Sequence, residues 1–372
     1  MENIGLITFS TTLDNYGQVL QALATKDYLQ ERGHRVFLMR EKEDCLLDMF
    51  SLSIRMFVKR FIYFFTRSNS IKQSIKAQEN YVHWKSVYKY NEKIHPRFFE
   101  QFRTSNFEII NCCDGAIKQY RITALCAGSD QIWGGPDKYH FLQIGPNSLK
   151  RFSIAPSTGD KQLTKEGGVL VAQWLRGFSF VTVREPSGVQ MCKSCGYNRA
   201  HLILDPTFLL SSNQYNSYAP SQCSDDNYIF VYLLRAQAPI SLESIEEFAK
   251  KNNLAVKYVP GQGRMDEHDK IYATIPEWLS LIRDARYVIT NSFHGMAFSI
   301  IFRKSFLVLP RVDETKNMNE RITSLSKELG LTDRIYKDDL ETILKPIDYH
   351  QAEQKIESNK KNLDDLMREN NL

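Results

Sequence analysis

Apolar and polar positions along this chain come in alternating blocks. Asn3–Phe9 (NIGLITF) reads as a strand running into the turn-like TTLDNYGQ. Val19–Glu31 then sets Leu20, Leu23, Ala24 and Tyr28 on one helix face. Gly33 predicts that helix's end, and Arg35–Arg40 the next strand. Further short strands are expected at Ala124 onward, Lys150–Ser157, Phe178–Arg184 and His201–Leu204, with a helix over Glu185–Gly196. After the polar run Ser211–Asn227 the alternation restarts. Strands at Tyr228–Leu234, Ala255–Val259, Ala285–Thr290 and Ser305–Leu309 are separated by helices at Leu242–Asn252, Ile275–Asp284 and Met296–Phe302. Helices over Asn319–Leu329 and Gln351–Met367 close the chain. Repeated βα units predict an α/β fold with parallel sheets in two Rossmann-like domains.

The expected division is 1–210, 211–345 and a C-terminal helix over 346–372, with a helical insertion at about 41–111. A length of 372 residues and an apolar fraction of 42% suit two cored domains. Within the insertion, Phe50–Arg67 mixes Phe57, Phe61, Phe64 and Phe65 with Arg55, Lys59, Arg60 and Arg67. That pattern fits a membrane-surface helix or a packed helical lid.

The net charge of +5, from 48 basic and 43 acidic residues, is too small to imply nucleic acid. It suits an anionic small substrate or an anionic membrane surface. Seven scattered cysteines and the lack of a basic, then apolar, leader predict a cytoplasmic protein, either free or at the inner face of the membrane. Cys192-Lys-Ser-Cys195 is a lone CxxC without zinc spacing, so ordinary thiols are expected. No histidine pair has metal-ligand spacing.

Candidate chemistry lies at the carboxyl ends of strands, where α/β folds bind ligands. Asn291, Ser292, His294 and Gly295 form a polar loop before an apolar helix, a setting that favours an anion or a capping role. Asn15, Tyr16, Gly17 and Gln18 follow the first strand, with Asn15 also a natural helix cap. Ser129, Asp130 and Gln131 precede Trp133 and offer hydroxyl-reading groups beside an aromatic platform. Arg184 and Arg235 each end a strand, where a guanidinium binds carboxylate or phosphate. No GxGxxG is present, so a dinucleotide fingerprint is missing.

Four of these stretches, in order, resemble the polysaccharide pyruvyl transferase family: DNYGQVLQALATKDYL, GSDQIW, VREPSGVQMCKSCGY with LDPTFLL, and TNSFHGMAFSIIF. They span about Asn3 to about Arg334. The resemblance implies a GT-B-like fold with the site in the cleft between two Rossmann-like halves. It also implies transfer of pyruvate from phosphoenolpyruvate to a sugar of a surface polysaccharide or its lipid-linked precursor, with no cofactor beyond that donor. His294 matches the family histidine, Arg184 its VR pattern, and Arg321 an arginine of its RI-xx-L segment. The expected catalytic pair is therefore His294 and Arg184, with Arg235, Asn291, Ser292, Gly295 and Arg321 on the donor side. Asn15, Tyr16, Gln18, Asp130, Gln131 and Trp133 are expected on the acceptor side. A GT-B glycosyltransferase using a nucleotide-sugar and a non-catalytic saccharide-binding protein remain as alternatives.

Overall fold

The computed structural model describes residues 1–41, 58–61, 63, 66, 69–159, 162–221, 226–234, 238–261, 264, 266–312 and 318–372. The chain forms two compact units, one of Met1–Arg40 with Phe98–Leu372 and one of Glu41–Arg97. The smaller unit contains the long helix Asn69–Ile94 and an ion pair of Arg60 with Glu79 at 2.6 Å. It ends earlier than the expected insertion boundary. Glu108–Asn111 is an edge strand of the main unit, where half of its residues alternate outward and mask the pattern. Phe50–Arg67 falls for the most part outside the described residues. Among the described residues, no helix is long and apolar enough to cross a membrane.

The main unit holds two Rossmann-like halves, each built on its own parallel sheet. Strands β1 (Asn3–Ile7), β2 (Arg35–Arg40), β3 (Glu108–Asn111), β4 (Ala124–Ala127) and β5 (Lys150–Ser153) form a parallel sheet in the order β3-β2-β1-β4-β5. Strands β6 (Val181–Val183) and β7 (Ala200–Leu202) pair alongside. Ser153 and Thr182 stitch β5 to β6. The Ser153 hydroxyl donates to the Thr182 carbonyl at 2.8 Å, and the Thr182 hydroxyl donates to the Ser153 carbonyl at 2.6 Å. The second half has β8 (Tyr228–Leu233), β9 (Ala255–Pro260), β10 (Tyr287–Thr290) and β11 (Ser305–Val308), all parallel, in the order β11-β10-β8-β9.

Both sheets reverse direction of growth at a defined place. In the first half it lies between β1 and β4, in the second between β8 and β10. Such switch points leave a crevice at the strand ends. The loops after β1 and β4 carry Asn15 and Asp130, and the helix that follows β10 carries His294 in its first turn.

The first helix, Tyr16–Glu31, departs from the expected single buried face. Val19, Leu20, Ala22, Leu23, Ala24, Tyr28 and Leu29 are all buried. The cause is tertiary. The helix packs between its own sheet and the second half, so apolar residues are required almost all round. The C-terminal helix His350–Glu369 crosses back to this helix. Asp364 accepts from the Tyr28 hydroxyl at 2.6 Å and from Arg32 Nε at 3.0 Å. Asn359 accepts from the Leu204 N–H at 2.7 Å.

Candidate active site

The His294 segment begins its helix earlier than the hydrophobic run suggests. The helix is Phe293–Ile301, and Ser292 caps it by accepting from the Gly295 N–H at 3.3 Å. His294 therefore stands in the first helical turn. Gly295 has no room for a side chain, because a Cβ there would overlap the Thr290 hydroxyl. Asn291 is fully buried, and its side-chain oxygen accepts from the Leu234 N–H at 2.7 Å, tying β10 to the end of β8. Ser292, Gly295 and Asn291, expected on the donor side, thus shape the loop that presents His294. Arg235 lies outside the described residues.

The first half meets His294 through two elements. Gly17, in the opening turn of the helix Tyr16–Glu31, lies flush against the imidazole. Asp205, just after β7, presents Oδ2 at 3.8 Å from His294 Nε2. The same Oδ2 accepts from Arg184 Nη1 at 2.6 Å and from the Ser129 hydroxyl at 3.1 Å. Asp205 Oδ1 accepts from the N–H and hydroxyl of Thr207 at 3.0 and 2.9 Å. One buried carboxylate therefore joins the expected catalytic pair. Asp205 was legible only as the end of a strand before a proline. Its LDPTF setting, an acidic group at a strand end, was the available signal.

Arg184 is buried, with Nε 3.6 Å from Glu185 Oε2 and its guanidinium over the Phe293 ring at 4.8 Å. Glu185 is held in turn by the Ser157 hydroxyl at 2.7 Å and the Thr158 N–H at 2.8 Å. Among the described residues, Arg184 Nη2 and His294 Nε2 are buried without a hydrogen-bond partner. Buried polar groups left this way are costly unless a ligand completes them.

Charge follows the geometry. Burial pushes the His294 imidazole below its ordinary value, against the pull of Asp205. Burial alone would raise Asp205, but Arg184, then His294, hold it below the usual carboxylate range. Burial would lower Arg184, but Asp205 and Glu185 keep it firmly charged. At neutral pH the centre is thus a charged arginine, an ionised carboxylate and a neutral imidazole.

The helix Met318–Glu328 supplies Arg321. With its amide oxygen toward this guanidinium, Gln131 accepts from Nη1 and Nη2 at 3.1 and 2.9 Å. Burial, with Arg184 close by, pushes Arg321 down to about 10, so it stays cationic at neutral pH. Gln18 Nε2 donates to Asp130 Oδ2 at 3.0 Å. Asp130 sits at φ 72°, a backbone region costly for a non-glycine residue and often found at functional sites. Arg311, which sequence reasoning passed over, is buried and donates from Nε to the Asn291 carbonyl at 3.2 Å.

A cavity of about 540 Å³ opens beside this centre: Arg184, Asp205 and Arg321 line it with Glu185, Lys327, Glu328 and Lys355, while His294 is not among its lining residues. None of the expected acceptor contacts Asn15, Tyr16, Gln18, Asp130, Gln131 and Trp133 is among its described lining residues, and two of them are closed off in the core. Tyr16 is fully buried, stacks on Trp278 with centroids 5.1 Å apart, and donates its hydroxyl to the Ala273 carbonyl at 2.6 Å. Trp133 is equally buried, stacks on Phe141 at 4.7 Å and donates to the His140 carbonyl at 3.0 Å. Both aromatics have their polar atom satisfied inside the core, which removes them as sugar platforms. Asn15 caps the first helix, accepting from the Gln18 N–H at 3.2 Å.

No curated protein sequence matches the chain. Among solved structures, the UDP-GlcNAc 2-epimerase from Methanocaldococcus jannaschii is similar at 9% identity and a TM-score of 0.47, over 98% of this chain and 99% of that one. The MnaA–UDP structure from S. aureus is similar at 12% identity and a TM-score of 0.43, over 97% and 92%. Arabidopsis thaliana UGT89C1 complexed with UDP-L-rhamnose has 12% identity and a TM-score of 0.40, over 100% and 93%. The sequence profile for "Polysaccharide pyruvyl transferase" matches residues 15–314, taking in Asn15, Asp130, Arg184, Asp205 and His294. The chain belongs to the polysaccharide pyruvyl transferase family and is a transferase.

Proposed function

We propose that this protein moves pyruvate from phosphoenolpyruvate onto two hydroxyls of a saccharide, forming a ketal and releasing phosphate. The observation that carries this reading is the buried Arg184–Asp205–His294 centre, whose Arg184 and Asp205 line a cavity that also holds Arg321, Lys327 and Lys355. Phosphoenolpyruvate carries a carboxylate and a phosphate on three carbons. Arg184 and Arg321 are suited to hold both anions, with Lys327 and Lys355 drawing the donor in.

The reaction then has defined requirements. One saccharide hydroxyl adds to the central carbon and loses its proton, while the methylene carbon gains one and becomes methyl. The second hydroxyl takes the place of the phosphate, and its proton leaves with that group. His294, neutral at rest, becomes protonated as the dianionic phosphate arrives beside it, with Asp205 stabilising the imidazolium. It then serves as the acid at the donor. Asp130, placed by Gln18, is the candidate base for the attacking hydroxyl.

The experiment is incubation with phosphoenolpyruvate and a panel of saccharides, following phosphate release and acceptor mass. Coupled phosphate release and ketal formation support the proposal. Turnover of nucleotide-sugars alone would replace it with glycosyl transfer.

A further inference from the structure

A second cavity, of about 730 Å³, lies on the other side of the wall that bounds the cationic one. The division runs between chain neighbours. Arg184, Glu185 and Pro186 line the cationic cavity, whereas Ser187 lines the second. Likewise Arg321 faces the first and Glu320 the second. Thr158, which also lines the second cavity, donates its N–H to Glu185 at 2.8 Å. The two cavities are thus neighbours along Glu185–Ser187 and Glu320–Arg321.

Their linings differ in kind. Where the first sets Arg184, Arg321, Lys327 and Lys355 against Glu185, Asp205 and Glu328, the second has, among the described residues, only Lys165 and Glu320, which offset each other. The rest of its polar surface is hydroxyl and amide. Ser187, Gln190 and Ser194 recur on one face of the helix Pro186–Ser194, opposite Gln162 and Thr164. Val169, 55% exposed, and Met191 supply apolar surface between them. An uncharged, hydroxyl-rich ligand with apolar C–H faces matches this mixture, and the volume is within the range of small-molecule sites.

We propose that the second cavity is the acceptor site and takes a neutral saccharide, leaving the cationic cavity to the donor. This rests on the transfer reaction proposed above. It moves acceptor recognition away from Tyr16 and Trp133 and onto the helix Pro186–Ser194.

Cys195 lines the second cavity and gives it a built-in reporter. The test is alkylation of the whole protein by iodoacetamide, with Cys195 modification followed by peptide mass. Methyl and p-nitrophenyl hexosides and N-acetylhexosaminides serve as saccharide probes, and phosphoenolpyruvate as the donor probe. The expected result is that saccharides slow Cys195 alkylation and phosphoenolpyruvate does not. Gln190→Leu should weaken protection and raise acceptor KM by about five- to tenfold, the worth of one hydrogen bond, with donor KM unchanged. Protection by phosphoenolpyruvate, or none by any saccharide, overturns the assignment. Saccharide protection without any pyruvyl transfer would leave the cavity a saccharide site and reject the proposed reaction instead.

Discussion

Gly17 and His294 touch across the two halves of the main unit. A Cβ built on Gly17 would overlap Cγ and Nδ1 of the His294 ring, so the opening turn of the first helix serves as the floor on which the imidazole rests. The contact needs a residue without a side chain. It also fixes the ring relative to Asp205, whose Oδ2 lies 3.8 Å from Nε2.

Gly17→Ala should therefore push the ring out of place. A displacement of about 1 Å at a reacting group costs on the order of 100-fold in rate. We expect that loss in kcat with a smaller change in donor KM, measured by steady-state phosphate release. A variant with wild-type kcat would show that the ring's position is unimportant.

Asp205→Ala should be far more damaging to the fold than an ordinary surface change. It strips a buried guanidinium of its 2.6 Å partner, and breaking a buried pair costs about 3–5 kcal/mol. Urea unfolding measures this directly. Asp205→Asn should recover part of the stability, since an amide oxygen still accepts from Arg184, but not the rate.

The lowered His294 value makes a signed prediction about pH. The unfolded chain takes up a proton near pH 6.5, and the folded imidazole only at lower pH. His294 therefore contributes stability that is fully present above about pH 6.5 and is lost as pH falls through the folded value. His294→Gln should flatten this part of the stability–pH curve. An unchanged slope between the two proteins would contradict the neutral buried ring.

Tyr16→Phe tests the reassignment of that residue. Losing the hydroxyl's bond to the Ala273 carbonyl should cost about 1 kcal/mol in stability and leave acceptor KM unchanged. A raised acceptor KM in a stable Tyr16→Phe protein would return it to the acceptor side.

Much of the fold was legible because its signals are local. The Ile275–Asp284 helix has the bounds expected of it, where the structure shows Thr274 as its cap, and Gly33 ends the first helix at φ 81°. His294 and Arg184 were singled out by strand-end position and family resemblance, and both reach the same carboxylate. What the sequence concealed is long-range. Tyr16 and Ala273 are 257 positions apart, and nothing in the local pattern distinguishes a buried loop aromatic from an exposed one. Asp205 escaped for the same reason: its partners come from Ser129, Arg184 and His294, each on a different element. Strand β3 was hidden by its edge position, where only Ile110 is fully buried.

The most direct test is the transfer reaction run in D2O with wild-type and His294→Gln proteins, reading the ketal methyl by NMR and phosphate by colorimetry. The account predicts one deuterium per transferred methyl, stoichiometric phosphate, and loss of both signals by orders of magnitude in the variant. Pyruvyl transfer at an undiminished rate in His294→Gln, or a saccharide product with no pyruvate-derived methyl, would contradict it.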